Sequence, residues 1–135
     1  MPYIGRAGFV WYYILMQFSI GTDLVDVKRI ARSVRNPRFL ARIFTAAEVR
    51  YCRSKKEAAQ HFAVRFAAKE AVWKALSEHK LKGIGHKEIG VARAVDGKPS
   101  VSLSARLKKY EKNISLSLSH TKDYAVAVAL FQNRP

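Results

Sequence analysis

Asp23, Glu70, Lys74 and His120 are the polar side chains that packing and helix capping explain least. Two carboxylates suit a magnesium ion, a hard cation that binds oxygen, keeps several waters and takes its remaining ligands from phosphate oxygens. A lysine and a histidine beside such a pair would neutralise phosphate charge or move a proton. Each residue has a plainer account too. An aspartate ahead of a helix is often a cap, and a histidine in a turn is more often structural than catalytic. Glu70 and Lys74 can be read as a solvated i, i+4 pair that stabilises a helix by about 0.2–0.5 kcal/mol. Spacing alone does not bring the four together.

The elements that must position them are legible in outline. Arg65 to Leu76 is rich in alanine and unbranched side chains, which favour helix. Phe62, Phe66, Trp73 and Leu76 recur at spacings that bury one stripe, with Lys69 and Glu70 at its edge. This predicts a long central helix over 58–78, ended by a turn containing Gly83 and Gly85. Phe18 and Ile20 with small neighbours predict a strand over 17–22, and Gly21 loosens the backbone just before Asp23, which falls at the strand's end. A helix with Val27, Ile30 and Val34 on its apolar side follows, until Asn36-Pro37 stops it. Thr45-Ala46-Ala47-Glu48 reads as a capping box opening another helix. Strands over 88–95 and 100–104 flank the hairpin turn Asp96-Gly97. A basic helix or irregular piece over 105–113 leads to Ile114–Ser119, where apolar and hydroxyl residues alternate. His120 lies in the next turn, before a last strand over 124–131. The expected fold is α+β, a mainly antiparallel sheet packed against the long central helix.

The totals narrow the function. The chain has 135 residues, with 25 lysines and arginines against 10 acidic residues, a formal charge of +15. That charge calls for an anionic partner. Arg29, Arg38 and Arg42 belong to a basic series over the first helices with few acids between, which is either a solvated face or a grip for an acidic surface. The single cysteine, Cys52, rules out an intrachain disulfide and a cysteine-based zinc site, and it fits a reducing cytoplasm. The apolar run over 9–16 is too short to span a bilayer, which takes about 20 residues. Residues 1–15 are expected to be an extension and 16–135 one domain. No nucleophile elbow or Walker loop occurs, and His61, His79 and His86 lack metal-ligand spacing. A basic RNA- or ribosome-binding module is the main alternative, but it would interleave exposed aromatics with its basic residues, and the aromatics here fall on apolar stripes.

Several separated segments, in order, resemble the small bacterial 4'-phosphopantetheinyl transferases that make holo-acyl carrier protein. They are Ser19-Ile20-Gly21-Thr22-Asp23-Leu24 with Arg29-Ile30, then Arg38-Phe39, Arg42-Ile43-Phe44-Thr45 and Glu48. Next come Arg65-Phe66-Ala67-Ala68-Lys69-Glu70-Ala71 with Lys74-Ala75-Leu76, then Gly97-Lys98-Pro99, and finally Leu118-Ser119-His120-Thr121 with Tyr124-Ala125. The resemblance runs from about Met16 to the C-terminus.

The resemblance implies a magnesium-dependent transfer of phosphopantetheine from coenzyme A to a serine of apo acyl carrier protein, releasing adenosine 3',5'-bisphosphate. It implies Asp23 and Glu70 as metal ligands, Lys74 beside the pyrophosphate and His120 on a phosphate of coenzyme A. Arg65, Gly97, Lys98 and Pro99 would seat the nucleotide, while Arg29, Arg38 and Arg42 would dock the acidic carrier. Glu70 stands available to take the serine proton, directly or through a water. It further implies a homotrimer with sites between subunits, where His120 would serve a neighbour's Asp23 and Glu70. Two departures stand out. Ser77 to Lys82 intervene before the glycine turn, and the N-terminal extension has no counterpart.

Overall fold

The structure, a computed structural model, describes residues 17–78, 81–93 and 96–133. The expected extension over 1–15 lies outside the described residues. Strand β1 is Gln17–Asp26, longer than the sequence pattern predicts. Asp23 therefore stands within the strand rather than at its end. Pairing explains the extra length: β1 runs antiparallel to β5 (Tyr124–Asn133) along its whole course, with Asp23 opposite Ala127. The cap of the following helix α1 (Val27–Ser33) is Asp26, whose side chain accepts from the Arg29 N–H.

Helix α1 already ends at Ser33, with Val34 as its C-cap, short of Asn36-Pro37, which instead opens another helix, α2 (Pro37–Ile43). The Asn36 side chain accepts from the Arg38 N–H, and proline takes a first-turn position where its missing N–H is not needed. Helix α3 (Ala46–Arg53) begins on the expected capping box, with both reciprocal bonds present.

The central helix α4 (Ala58–Ser77) is 20 residues long and packs on one face of a sheet ordered β1-β5-β4, with β4 being Ile114–His120. Small residues permit this close packing. Ala125, Ala127 and Ala129 line the inner face of β5 and are buried. A Cβ on Gly21 would come within 1.9 Å of the Ala71 carbonyl oxygen. Ser19 Oγ donates to the Ala75 carbonyl at 2.6 Å, pinning strand to helix.

The expected apolar stripe on α4 needs one correction. Phe62, Phe66 and Leu76 are buried, but Trp73 is 37% exposed. Ala67, Ala68, Ala71, Val72 and Ala75 fill the other contacts of the helix, so it is enclosed over a wide arc. Trp73 falls on the remaining open side, one turn beyond Glu70.

Strands β2 (Ile89–Arg93) and β3 (Pro99–Leu103) form a second antiparallel pair. Gly97 turns there at φ 83°, in the left-handed region glycine tolerates. Between α4 and β2 lie Gly83 and a single 3-10 turn, His86–Glu88. The 105–113 segment is also 3-10, with Leu107 buried. The outer face of the three-stranded sheet carries Phe18, Ile20, Leu24, Tyr124 and Val128, all exposed. Among the described residues, no helix is long and apolar enough to cross a membrane.

Candidate active site

Alternation along β1 turns Asp23 inward, onto the face shared by Ser19, Gly21 and Val25 and toward α4. Lys74 meets it there. Its ammonium donates to the Thr22 carbonyl at 2.9 Å and stands 3.4 Å from Asp23 Oδ1. Asp23 Oδ2 is buried and has no hydrogen-bond partner. Burial pushes the Asp23 carboxyl above its ordinary range; Lys74 opposes that rise, and the negative charge of Glu70 adds to it. A buried carboxylate oxygen without a partner, under the field of a second carboxylate, is an arrangement a divalent cation relieves.

Glu70 does not form the i, i+4 pair with Lys74 that the plainer reading gave it. Its Oε1 instead accepts from His86 Nε2 at 2.6 Å. The His86 ring stacks on Phe66, with centroids 6.2 Å apart and planes 8° from parallel. His86 has no metal-ligand spacing in the sequence, and its carboxylate partner lies on another element. Its position in a tight turn between Gly85 and Glu88 was the one legible hint.

Lys69, next to Glu70 in sequence, is no site lysine. It is fully buried, with its ammonium 2.7 Å from Glu48 Oε1, and it donates to the carbonyls of Ile89 at 2.6 Å and His86 at 3.1 Å. Burial lowers its pKa, and Glu48 works against that.

His120 ends β4 opposite Ala125 and lines a cavity of about 280 Å³ together with His61, Arg65, Arg93, Gly97 and Pro99. Asp23 and Glu70 are not among its walls. Arg65 is 7% exposed, lies over the Tyr51 ring at 4.1 Å and keeps a buried Nε without a partner. Burial, then the charges of Arg65 and Lys55, holds His61 below its ordinary range. Two arginines and two imidazoles around one cavity fit an anion such as a phosphate.

The other expected residues are placed as follows. The Lys98 side chain is exposed and points toward Asp96, 3.9 Å away, rather than into the cavity. Gly83 and Gly85 serve the turn: the Gly83 carbonyl accepts from Arg106, and the Gly85 N–H donates to Glu88. Arg29, Arg38 and Arg42 are exposed on α1 and α2. Cys52 is wholly buried, and burial pushes its thiol up to about 11, as befits inert packing.

Asp23, whose carboxylate feels the charge of Glu70, would with Glu70 offer two carboxylates to a hard divalent cation, leaving its other positions to water or phosphate. Among the described residues, no group of three or more histidine, cysteine, aspartate or glutamate side chains is placed to hold a metal.

A sequence model of the 4'-phosphopantetheinyl transferase superfamily matches residues 19–129. The chain is 38% identical over 125 residues to a holo-[acyl-carrier-protein] synthase of Koribacter versatilis, covering 87% of this chain and 100% of that one. It is 44% identical over 117 residues to the synthase of Chlamydia muridarum, covering 84% and 93%. A solved complex of the Chronobacterium ammoniagenes synthase with coenzyme A superposes with a TM-score of 0.74 at 27% identity, covering 88% of this chain and 99% of that one. The Mycobacterium tuberculosis synthase gives a TM-score of 0.65 at 35% identity, covering 87% and 97%. With its α+β fold, its inward Asp23 facing α4 and relatives that match nearly end to end, this chain belongs to the holo-[acyl-carrier-protein] synthase family of 4'-phosphopantetheinyl transferases.

Proposed function

We propose that this enzyme transfers 4'-phosphopantetheine from coenzyme A to a serine of apo acyl carrier protein, in the cytoplasm, with magnesium at Asp23 and Glu70 and adenosine 3',5'-bisphosphate as the second product. The observation that carries this reading is the buried, partnerless Oδ2 of Asp23, on a carboxylate whose other oxygen faces Lys74 and which feels the charge of Glu70. The coenzyme A complex of the Chronobacterium ammoniagenes relative supports the choice of donor.

The chain's own residues then divide the work. Magnesium, when bound, lowers the negative charge that repels an incoming oxygen. The serine Oγ forms a bond to the phosphorus carrying the pantetheine arm, and the bond from that phosphorus to the bridging oxygen of the pyrophosphate breaks. The serine proton passes toward Glu70, and the leaving phosphate gathers charge. Lys74, with a side chain 45% exposed, can follow that charge. Arg65 and His120, with Gly97 and Pro99 in the same wall, seat the phosphates of the nucleotide. Lys98 beside them adds positive potential at the rim. Arg29, Arg38 and Arg42 steer and dock the acidic carrier.

The cavity walled by Arg65 and His120 excludes Asp23 and Glu70. The outer sheet face carries uncovered apolar side chains. Both facts support a homotrimer in which His120 of one copy completes the Asp23 and Glu70 site of the next. The test is incubation with apo carrier protein, coenzyme A and magnesium, followed by mass measurement. Addition of the arm, lost in Glu70→Gln with the fold retained, is expected. Absence of any addition would refute the reading.

A further inference from the structure

Glu70 projects from α4 near solvent, and an unrestrained glutamate there would sample several rotamers. One side chain from outside its helix restrains it. His86 Nε2 donates to Glu70 Oε1 at 2.6 Å, and His86 is itself held from several sides. Its ring lies flat against Phe66. Its carbonyl accepts from buried Lys69, which Glu48 fixes in turn. Glu48 is anchored by the N–H groups of Thr45 at 2.8 Å and Val91 at 3.1 Å. The turn is closed from the other end by Glu88, which accepts from the Gly85 N–H and receives both Nε and Nη2 of Arg106. A ring that only filled space beside Phe66 would need no donor aimed at a carboxylate.

We propose that His86 is a positioning residue: its Nε2–H holds Oε1 and so fixes the Glu70 carboxylate in the orientation in which it meets a divalent cation jointly with Asp23. This rests on the reading of Asp23 and Glu70 as the metal pair and adds to it a residue that never touches the metal. Partners of ligating carboxylates fix their direction, and losing one weakens metal affinity by about 10- to 100-fold.

The test is direct Mn²⁺ binding, read from the paramagnetic resonance of the free ion with coenzyme A at saturation and no carrier protein. His86→Phe keeps a flat ring on Phe66 but cannot donate; His86→Gln replaces the ring but keeps an N–H donor. Expected is a loss of Mn²⁺ affinity of about tenfold in His86→Phe, with His86→Gln within about threefold of the native protein. Thermal melting reports the fold. His86→Leu, which also lacks a donor, replaces the phenylalanine variant if that does not fold. Native affinity in the donor-less variant overturns the proposal, and so does an equal loss in the donor-less and glutamine variants, which would assign the effect to ring packing. No Mn²⁺ binding by the native protein brings down the metal pair and this inference together. Native binding that is indifferent to residue 86 brings down this inference alone.

Discussion

The ammonium of Lys69 and the carboxylate of Glu48 lie 2.7 Å apart, with the lysine side chain wholly enclosed. The pair joins three elements: the capping box of α3, the middle of α4 and, through the carbonyls of His86 and Ile89, the entry to β2. Removing one partner of such a pair leaves a bare buried charge, which costs about 3–5 kcal/mol. Lys69→Met should lose stability of that order in urea titration. Adding Glu48→Gln should recover part of the loss, because contacting residues couple. A single variant within about 1 kcal/mol of native would show that the pair carries little.

Gly21 is where β1 and α4 come closest. A Cβ there would meet the Ala71 carbonyl oxygen at 1.9 Å and the Ala75 nitrogen at 2.9 Å, and both are backbone atoms that cannot swing aside. Gly21→Ala must push the strand off the helix and carry Asp23, two residues on, away from Lys74. We expect a stability loss of at least about 1–3 kcal/mol, the usual range for overpacking. In the folded fraction, transfer should fall by more than the stability loss alone accounts for. A Gly21→Ala protein with native melting and turnover would show that the strand can yield without disturbing the site.

These relationships show what the sequence makes legible. Helix α4 and the capping box announce themselves through composition and local spacing, and Asp23 and Glu70 stand out as carboxylates that packing does not need. Lys69 misleads because neighbours in sequence share no helix face: consecutive side chains diverge by about 100°, so the lysine points into the core while Glu70 meets His86. The position of Asp23 within β1 is set by Ala127, far along the chain, and no local pattern carries that register. Trp73 obeys the spacing of a buried stripe, but the alanines around it already satisfy the contacts of α4. His86 is hidden for a similar reason, since its partners Glu70 and Phe66 belong to another element.

Glu88 offers a pH signature. The Arg106 guanidinium on its oxygens, helped by the Gly85 N–H and Ser104 Oγ and opposed by burial, holds its carboxyl down at about 2 from an ordinary 4.5. Between those values the unfolded chain binds a proton that the folded chain lacks. The stabilisation is therefore complete above 4.5 and lost as pH falls toward about 2. Glu88→Gln should have a lower urea midpoint than native near about pH 6, and the gap should narrow by about pH 3. An unchanged gap at the two pH values would mean that Glu88 acts through packing rather than charge.

Val128 sits on the middle strand of the three-stranded sheet, opposite Thr22 on one side and Ser117 on the other, and faces away from α4. It is 38% exposed, with Ile20 at 61% and Leu24 at 68% on the same outer face. Apolar side chains left together on a sheet surface are what a second copy of the chain would cover, and a carboxylate placed among them would be desolvated without a partner on assembly. If the proposed trimer forms through this face, the native protein should sediment as a trimer and Val128→Asp as a monomer. Its own fold should persist, because the substituted side chain touches neither α4 nor the inner face. If His120 completes a neighbour's Asp23 and Glu70, that monomer should also lose transfer, although every residue of the site is intact. A fully active Val128→Asp monomer would place the complete site within one chain, and a Val128→Asp trimer would move the interface elsewhere.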